Sequence, residues 1–480
     1  MIKDHLALTK NILIYGFGRS SEDLAKFLLL PLYTRHLTPT DYAVISLVAL
    51  FTSFLRPIMS LGTSTSVFRF YNEIENEFDR GKVFYSSLLL IIIWTFLIFV
   101  FTYQSRNGIS TLLFDINSFS NFIVIGILTS AFLSIYNIPM FILRAEGKSQ
   151  RFVINKFIKL FFGIVITIIF VVIFKRGAIG VLEASCLTSF LFAVYALSYQ
   201  MKRARRGIDK SLFLKFFKFG LPLVFAGFSM VFLNSSGKYF LKKLSTLEIL
   251  GVYSIGYTIG SGINLFIGAF QNAWPQFLFN YKDKNQASQF YGSVFTFYVA
   301  IMGVLWLLIS IFSKEIVFLM TTKPFWDCYK VIPIVSSAYI FYGAASITSA
   351  GIYIKDKTYN DYFMSPLSAF VCVVLNYFFI KNFGMIGAAW ATFFSFFVLF
   401  CIYTLIGIKY LKIDFDLKRI SFLLIIFLVG YAITLTPNSF NMVQFIIFKF
   451  ILFIFILVLL ISFESLFKKE YYFLKSNILK

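Results

Sequence analysis

The chain has 480 residues, of which 59% are apolar, 20% aromatic and 14% charged, and its mean hydropathy is +0.81. This composition excludes a soluble enzyme, because it describes a chain solvated mainly by lipid. The net charge of +22 does not indicate nucleic acid as a partner, because the Lys and Arg residues cluster in short stretches between apolar segments.

Apolar segments long enough to cross a bilayer follow one another along almost the whole chain. A spanning helix needs about 20 apolar residues, and about fourteen segments meet that length. They lie near residues 9–32, 41–63, 83–104, 120–143, 153–174, 178–199, 214–236, 249–272, 291–312, 329–353, 361–380, 385–405, 420–435 and 442–463. We therefore predict an all-α integral membrane protein without a soluble domain.

The first segment carries four charged residues on one helical face, at spacings of three, four and seven residues. These residues are Arg19, Glu22, Asp23 and Lys26. Charges facing lipid are costly, so this face is expected to line protein or water. Two interpretations remain open: a substrate-binding face, or a ladder of ion pairs that holds the helix against its neighbours.

The second segment contains a cation near its middle. Arg56 directly precedes Pro57, and a proline there opens the backbone hydrogen bonding toward a cavity. Arg56 is therefore predicted to face substrate, the alternative being an Arg that extends to the inner interface.

The sixth segment contains Glu183, an acid within apolar sequence. An acid in low dielectric suits reversible protonation, so Glu183 is a candidate for ion coupling. The alternative is an ion pair with Lys159 or Arg176. We interpret Lys159 and Lys449 as interfacial or pair-forming residues.

The stretch 201–218 is the most basic part of the chain and separates two similar halves. Positively charged stretches stay cytoplasmic, which places this linker and both termini inside. Its cations are Lys202, Arg203, Arg205, Arg206, Lys210, Lys215 and Lys218.

The halves on either side of the linker repeat each other at an offset of about 207 residues. Gly177–Gly180 matches Gly384–Gly387, and Arg35 matches Lys242. An even number of helices before the linker makes the repeats parallel, as in carriers with a site between two lobes. The predicted divisions are an N-terminal six-helix lobe (1–200), the linker (201–218), a C-terminal six-helix lobe (219–405), and an additional helix pair and tail (406–480).

The charged face of the first helix has no counterpart in the second half. Arg19 matches Ala226 and Lys26 matches Leu233, and the second-half helix is polar only toward its outer end, where Lys238 and Lys242 lie. Fixed cations suit a diphosphate or another anionic group. The predicted substrate-binding residues are Arg19, Lys26, Arg56, Arg35, Lys238 and Lys242.

The chain offers no pattern for a metal site or a nucleotide-binding loop. Its two His and four Cys are far apart, and no Gly-x-x-x-x-Gly-Lys sequence occurs. We expect no cofactor.

Several motifs together resemble the polysaccharide flippases of the multidrug/oligosaccharidyl-lipid/polysaccharide (MOP) exporter superfamily, the Wzx-type O-antigen translocases. They are LPLYTR at residues 30–35, LTPTDY at 37–42, GVYS at 251–254, and Trp274–Pro275. Ala43 departs from the Gly usual at its position. The resemblance covers essentially the whole chain and implies two MATE-like lobes.

What the resemblance implies is export of an undecaprenyl-diphosphate-linked oligosaccharide across the bacterial cytoplasmic membrane, for lipopolysaccharide O-antigen or another surface polysaccharide. It supports diphosphate binding by Arg19 and Arg56. Implied partners are membrane lipids, a polysaccharide polymerase and chain-length machinery. Two alternatives remain: a cation-coupled multidrug exporter of the same architecture, or a membrane polysaccharide polymerase.

Overall fold

The computed structural model describes residues 21–74, 76–202, 207–280, 287–357, 359, 361–436 and 442–462. Within these ranges the chain is almost entirely helical. Twelve helical segments in these ranges, some of them joining two consecutive helices, are long and apolar enough to cross a membrane, which confirms the predicted all-α membrane fold. The helices α1 to α9 are Ser21–His36, Pro39–Ser60, Thr63–Asn72, Glu77–Gln104, Arg106–Phe114, Ser120–Ala145, Ser149–Ile168, Gly177–Met201 and Ser211–Leu244.

The remaining helices follow in chain order. Helices α10 to α18 are Leu247–Gly260, Asn264–Asn280, Ala287–Ile311, Ser313–Met320, Ile332–Thr348, Ala350–Ile354, Asp361–Tyr410, Leu417–Leu435 and Met442–Ser462. A π-helical turn, Ile169–Ile173, extends α7, and 3-10 segments occupy Ser261–Ile263 and Lys323–Lys330.

The number of spans depends on two places in the chain. Helix α16 contains a break at Gly384, where φ is +56°, so it covers two predicted segments. The first predicted segment begins outside the described residues, and the count of fourteen therefore stays a prediction. The short helices α3, α5 and α13 were not predicted, because each is too short to show the hydropathy of a span.

Contacts divide the chain into two compact units. The first comprises described residues of Met1–Ser254 and Cys372–Ala388, and the second those of Ile255–Val371 and Ala389–Lys480. In the first unit, α6 packs against α8, α2, α4 and α3, and α9 packs against α2. In the second unit, α12 packs against α14 and α17. The predicted lobe boundaries stay a prediction.

Helix α2 begins with a capping box, and the second half has a similar cap. The Thr38 hydroxyl accepts from the Asp41 N–H at 3.2 Å, and the Asp41 carboxylate accepts from the Thr38 N–H at 3.0 Å. In the second half, the Thr246 hydroxyl accepts from the Ile249 N–H at 3.3 Å. The equivalent cap is therefore Thr246, one residue beyond Ser245, the residue that an offset of 207 from Thr38 would give.

The starts of α2 and α10 are in direct contact within the first unit. A Cβ on Gly251 would lie 1.9 Å from the Pro39 carbonyl oxygen, so only glycine fits there. The Gly251–Ser254 motif therefore has a packing role: it lets two helices from the matching halves approach closely.

Candidate functional site

A cavity of about 280 Å³ lies inside the first unit, among α1, α2, α6, α7 and α8. Each of these helices contributes both apolar and polar side chains to its wall. Its polar lining residues include Lys26, Tyr33, Thr52, Arg56, Thr129, Lys156, Lys159, Thr167, Ser185 and Thr188. We call this space the cationic cavity.

Four cations line the cationic cavity, and no carboxylate is among its described lining residues. Lys26 comes from α1, Arg56 from α2, and Lys156 and Lys159 from α7. Fixed cations in a low-dielectric wall attract anionic ligands, and Arg and Lys both bind phosphate groups. The cavity is therefore suited to an anionic ligand.

The two lysines of α7 are positioned by one aromatic ring. They stand three residues apart, on one face of the helix. The Nζ atoms of Lys156 and Lys159 lie 5.4 and 4.4 Å from the centroid of the Tyr136 ring, and Tyr136 is fully buried on α6. Cation–π attraction to a desolvated ring stabilises such an arrangement, so Tyr136 holds both ammonium groups on the same side of the cavity.

Threonine hydroxyls add polarity to the wall without adding charge. Thr129, Thr167 and Thr188 each donate to the carbonyl oxygen four residues earlier, at 2.7 Å. Because each hydroxyl proton is already used within its helix, the oxygen retains acceptor capacity for water or ligand.

The structure brings two predicted substrate residues together, since Lys26 and Arg56 line the same cavity. Arg19 lies outside the described residues. Glu22 and Asp23 lie on helix α1, and the structure describes their backbone only. The ion-pair ladder on this face therefore stays a prediction.

The other predicted cations of the described residues do not line the cationic cavity. Lys238 on α9 is close enough to Lys26 for the two like charges to interact. Arg35 is exposed in the last turn of α1. Neither Arg35 nor Lys238 nor Lys242 is among the lining residues of the cationic cavity.

Lys242 is buried in an ion pair. Its Nζ contacts one carboxylate oxygen of Asp115, and the Nζ of Lys243 lies 2.9 Å from the other. Hydrogen bonds from the two ammonium groups lower the pKa of Asp115 below its usual value. Sequence analysis did not anticipate Asp115 as the partner of Lys242.

Glu183 forms an ion pair with Arg176, one of the two partners that sequence left open. The guanidinium Nε and Nη2 donate to the two carboxylate oxygens, each at 2.6 Å, at the start of α8. Bidentate contact with Glu183 raises the pKa of Arg176. Lys159, the other partner considered, lines the cationic cavity, and its interpretation as a pair-former stays a prediction.

The predicted role of Lys449 as an interior pair-former is confirmed by an ion pair. It is 2% exposed, and its Nζ lies 2.7 and 3.0 Å from the two carboxylate oxygens of Glu315 in the second unit.

Lys156 was missed altogether by sequence analysis; its three-residue spacing from Lys159 was the available signal. Among the residues that the structure describes, no group of three His, Cys, Asp or Glu is arranged to hold a metal ion.

The fold matches solved membrane transporters along nearly their full lengths. One is the lipid II flippase MurJ in an inward closed conformation, with TM-score 0.67 and 16% identity over 96% of this chain and 99% of that one. Another is an inward-facing multidrug resistance MATE family transporter of the MOP superfamily, with TM-score 0.68 and 16% identity over 86% and 98%.

A third similar structure is a MOP superfamily transporter from Pyrococcus furiosus whose binding pocket is described as having reverse polarity. Its TM-score is 0.56, with 16% identity over 87% of this chain and 95% of that one. The three likenesses define the fold of this chain, which is that of MurJ and of the MATE transporters.

Residues 8–277 match the family model described as polysaccharide biosynthesis protein. The chain belongs to that family. The family match and the fold together confirm the expected membership of the MOP exporter superfamily. A comparison with curated protein sequences found no match.

Proposed function

We propose that this protein is a flippase that moves an undecaprenyl-diphosphate-linked oligosaccharide from the inner to the outer leaflet of the bacterial cytoplasmic membrane, by alternating access. The observation that carries the proposal is the cationic cavity, where Lys26, Arg56, Lys156 and Lys159 meet among membrane helices. The family description and the fold support the same class of substrate.

The physical requirement for such a carrier is compensation of the diphosphate charge inside a low-dielectric bundle. Moving an uncompensated anion there is prohibitive, whereas fixed cations replace its hydration. Arg56 offers bidentate geometry to a phosphate, and the lysines act as point charges around it. Because these cations come from three helices, a bound diphosphate would bridge α1, α2 and α7.

A multidrug exporter of the same architecture would select cationic drugs, and four lining cations with no described carboxylate in the wall disfavour such ligands.

In this proposal, both termini and the linker at 201–218 are cytoplasmic. A surface polysaccharide such as O-antigen would be the final product, and a polymerase with its chain-length machinery would act next on the translocated unit.

The deciding experiment is depletion of the protein in its native cells, followed by analysis of lipid-linked intermediates in each leaflet. We expect undecaprenyl-diphosphate-linked units to accumulate in the inner leaflet and surface polysaccharide to be lost. Accumulation of single units on the outer face would instead indicate a polymerase. Unchanged lipid intermediates, together with increased drug sensitivity, would support the exporter.

A further inference from the structure

A second cavity, of about 520 Å³, lies beside the cationic cavity in the first unit, among α2, α3, α6 and α9. The two cavities share Arg56 and Leu133. Its volume is within the range of about 300–1,000 Å³ found for small-molecule sites. The lining residues are Ser53, Arg56, Pro57, Ser60, Gly62, Thr65, Leu133, Ser134, Asn137, Leu223 and Val224.

The second cavity is lined by neutral hydrogen-bonding groups, with Arg56 as the one charged residue of its described wall. This composition differs sharply from that of the cationic cavity. Hydroxyl and amide groups complement a ligand that both donates and accepts hydrogen bonds and carries no charge of its own. Sugar hydroxyls have that character.

Three serines present acceptor oxygens to this space. The hydroxyls of Ser53, Ser60 and Ser134 donate to the carbonyl oxygens of Leu50, Pro57 and Ser130 at 2.6, 3.2 and 2.9 Å. Their protons are thus used within their own helices, and their lone pairs are left for a donor such as a sugar O–H.

Asn137 supplies hydrogen-bond donors, which the three serines lack because their protons are already used. It is half-buried on α6, and its side-chain amide makes no hydrogen bond to any residue that the structure describes. An amide within a membrane helix is costly to leave without a partner. Its N–H groups and its oxygen can both serve a ligand in the cavity.

Pro57 leaves one backbone acceptor of helix α2 without its helical partner. A proline inside a helix has no N–H, so the α-helical hydrogen bond to the carbonyl four residues earlier is missing. That carbonyl belongs to Ser53, which lines the same cavity.

We propose that the second cavity is the subsite for the sugar directly bonded to the diphosphate, and that Arg56 holds the phosphate at the junction. The inference rests on the proposed function. It follows from the order of the lining side chains: the lysines line the cationic cavity, Arg56 lines both cavities, and hydroxyls and an amide line the second cavity. A lipid-linked saccharide has the same order of diphosphate, glycosyl phosphate bond and sugar.

The test compares binding of sugar-free undecaprenyl diphosphate with binding of undecaprenyl diphosphates that bear glucose, galactose or N-acetylglucosamine, all to the full-length protein in detergent. The wild type should bind at least one sugar-bearing lipid more tightly than the sugar-free lipid. Asn137→Ala should remove roughly three- to tenfold of that gain, the loss expected for one or two neutral hydrogen bonds. Its affinity for the sugar-free lipid should be unchanged.

Ser134→Ala should act in the same direction, whereas Ser130→Ala is the matched control. Ser130 lies on the same helix and makes the same kind of bond to the carbonyl four residues earlier, and it is not among the lining residues of either cavity. Arg56→Ala should weaken binding of both kinds of lipid.

The outcomes separate the two proposals. If no undecaprenyl diphosphate binds the wild type, the proposed function fails. If sugar-free lipid binds but no sugar adds affinity, or if the added affinity survives in Asn137→Ala and Ser134→Ala, the sugar subsite is wrong and the proposed function stands. Equal loss in Ser130→Ala would also overturn the subsite.

Discussion

Gly177 and Gly384 both have a positive φ, of +59° and +56°. They occupy matching positions of the internal repeat, and each lies at the turn between two membrane helices. The relationship between the halves therefore extends from sequence to backbone geometry. It also explains why both positions are glycine, since other residues rarely adopt positive φ.

We predict that Gly177→Ala and Gly384→Ala each lower thermal stability. A new Cβ would meet no atom within 4 Å at either site, so the cost is conformational, about 1 kcal/mol. Gly108→Ala is the control, because that glycine has equal space within helix α5 and no positive φ. Melting temperatures of the purified proteins would show the difference, and equal effects at all three positions would contradict the explanation.

Arg56→Ala is predicted to abolish polysaccharide export while the protein remains in the membrane. Loss of a charge-assisted contact, about 1.5–3 kcal/mol, weakens capture of a diphosphate roughly ten- to hundredfold. Arg56→Lys should restore export only in part, because Lys lacks the bidentate geometry. The control is Arg151→Ala, a cation at the start of α7 that contacts Tyr199 and is not among the cavity lining residues. Export in complemented cells is the readout.

Tyr136 is predicted to act through the two lysines of α7. Tyr136→Phe retains a ring beneath Lys156 and Lys159 and should preserve diphosphate binding, whereas Tyr136→Leu should weaken it. A desolvated cation–π contact contributes about 0.5–2 kcal/mol, so a several-fold loss is expected. Titration with undecaprenyl diphosphate measures it. If the Phe and Leu variants lose equal affinity, the ring is not what positions the lysines.

Asp115→Asn is predicted to destabilise the protein more than Asp327→Asn does. Asp115 compensates the buried Lys242, whereas Asp327 pairs with an exposed Lys330 three residues away. Because the folded-state pKa of Asp115 is lowered, its contribution is present above the usual carboxyl pKa and is lost only as pH falls through the lowered value. The stability difference from wild type should therefore stay constant from neutral to mildly acidic pH, as measured by thermal unfolding.

The membrane helices were predictable because long apolar runs and their polar ends are local features. Predicted segments 120–143 and 178–199 correspond to Ser120–Ala145 and Gly177–Met201. The short helices Arg106–Phe114 and Ser313–Met320 were missed, because neither can show the hydropathy of a span.

The candidate site was only partly predictable. Lys26 and Arg56 were identified because a charge inside an apolar helix needs a polar environment. Lys156 and Lys159 carry the same signal, but their role depends on the Tyr136 ring, about twenty residues earlier on another helix. Contacts such as Lys242 with Asp115 join residues far apart in sequence, which periodicity within one helix cannot reveal.

Translocation in reconstituted vesicles tests the central claim most directly. Vesicles containing the purified protein and a fluorescent undecaprenyl-diphosphate-linked oligosaccharide are exposed to a membrane-impermeant quencher, and the fraction of lipid that becomes accessible is followed over time. We predict protein-dependent transfer between leaflets, lost in Arg56→Ala and retained in Arg151→Ala. Transfer at the rate of protein-free vesicles, or full transfer by Arg56→Ala, would contradict the proposal that this chain moves a lipid-linked diphosphate through its cationic cavity.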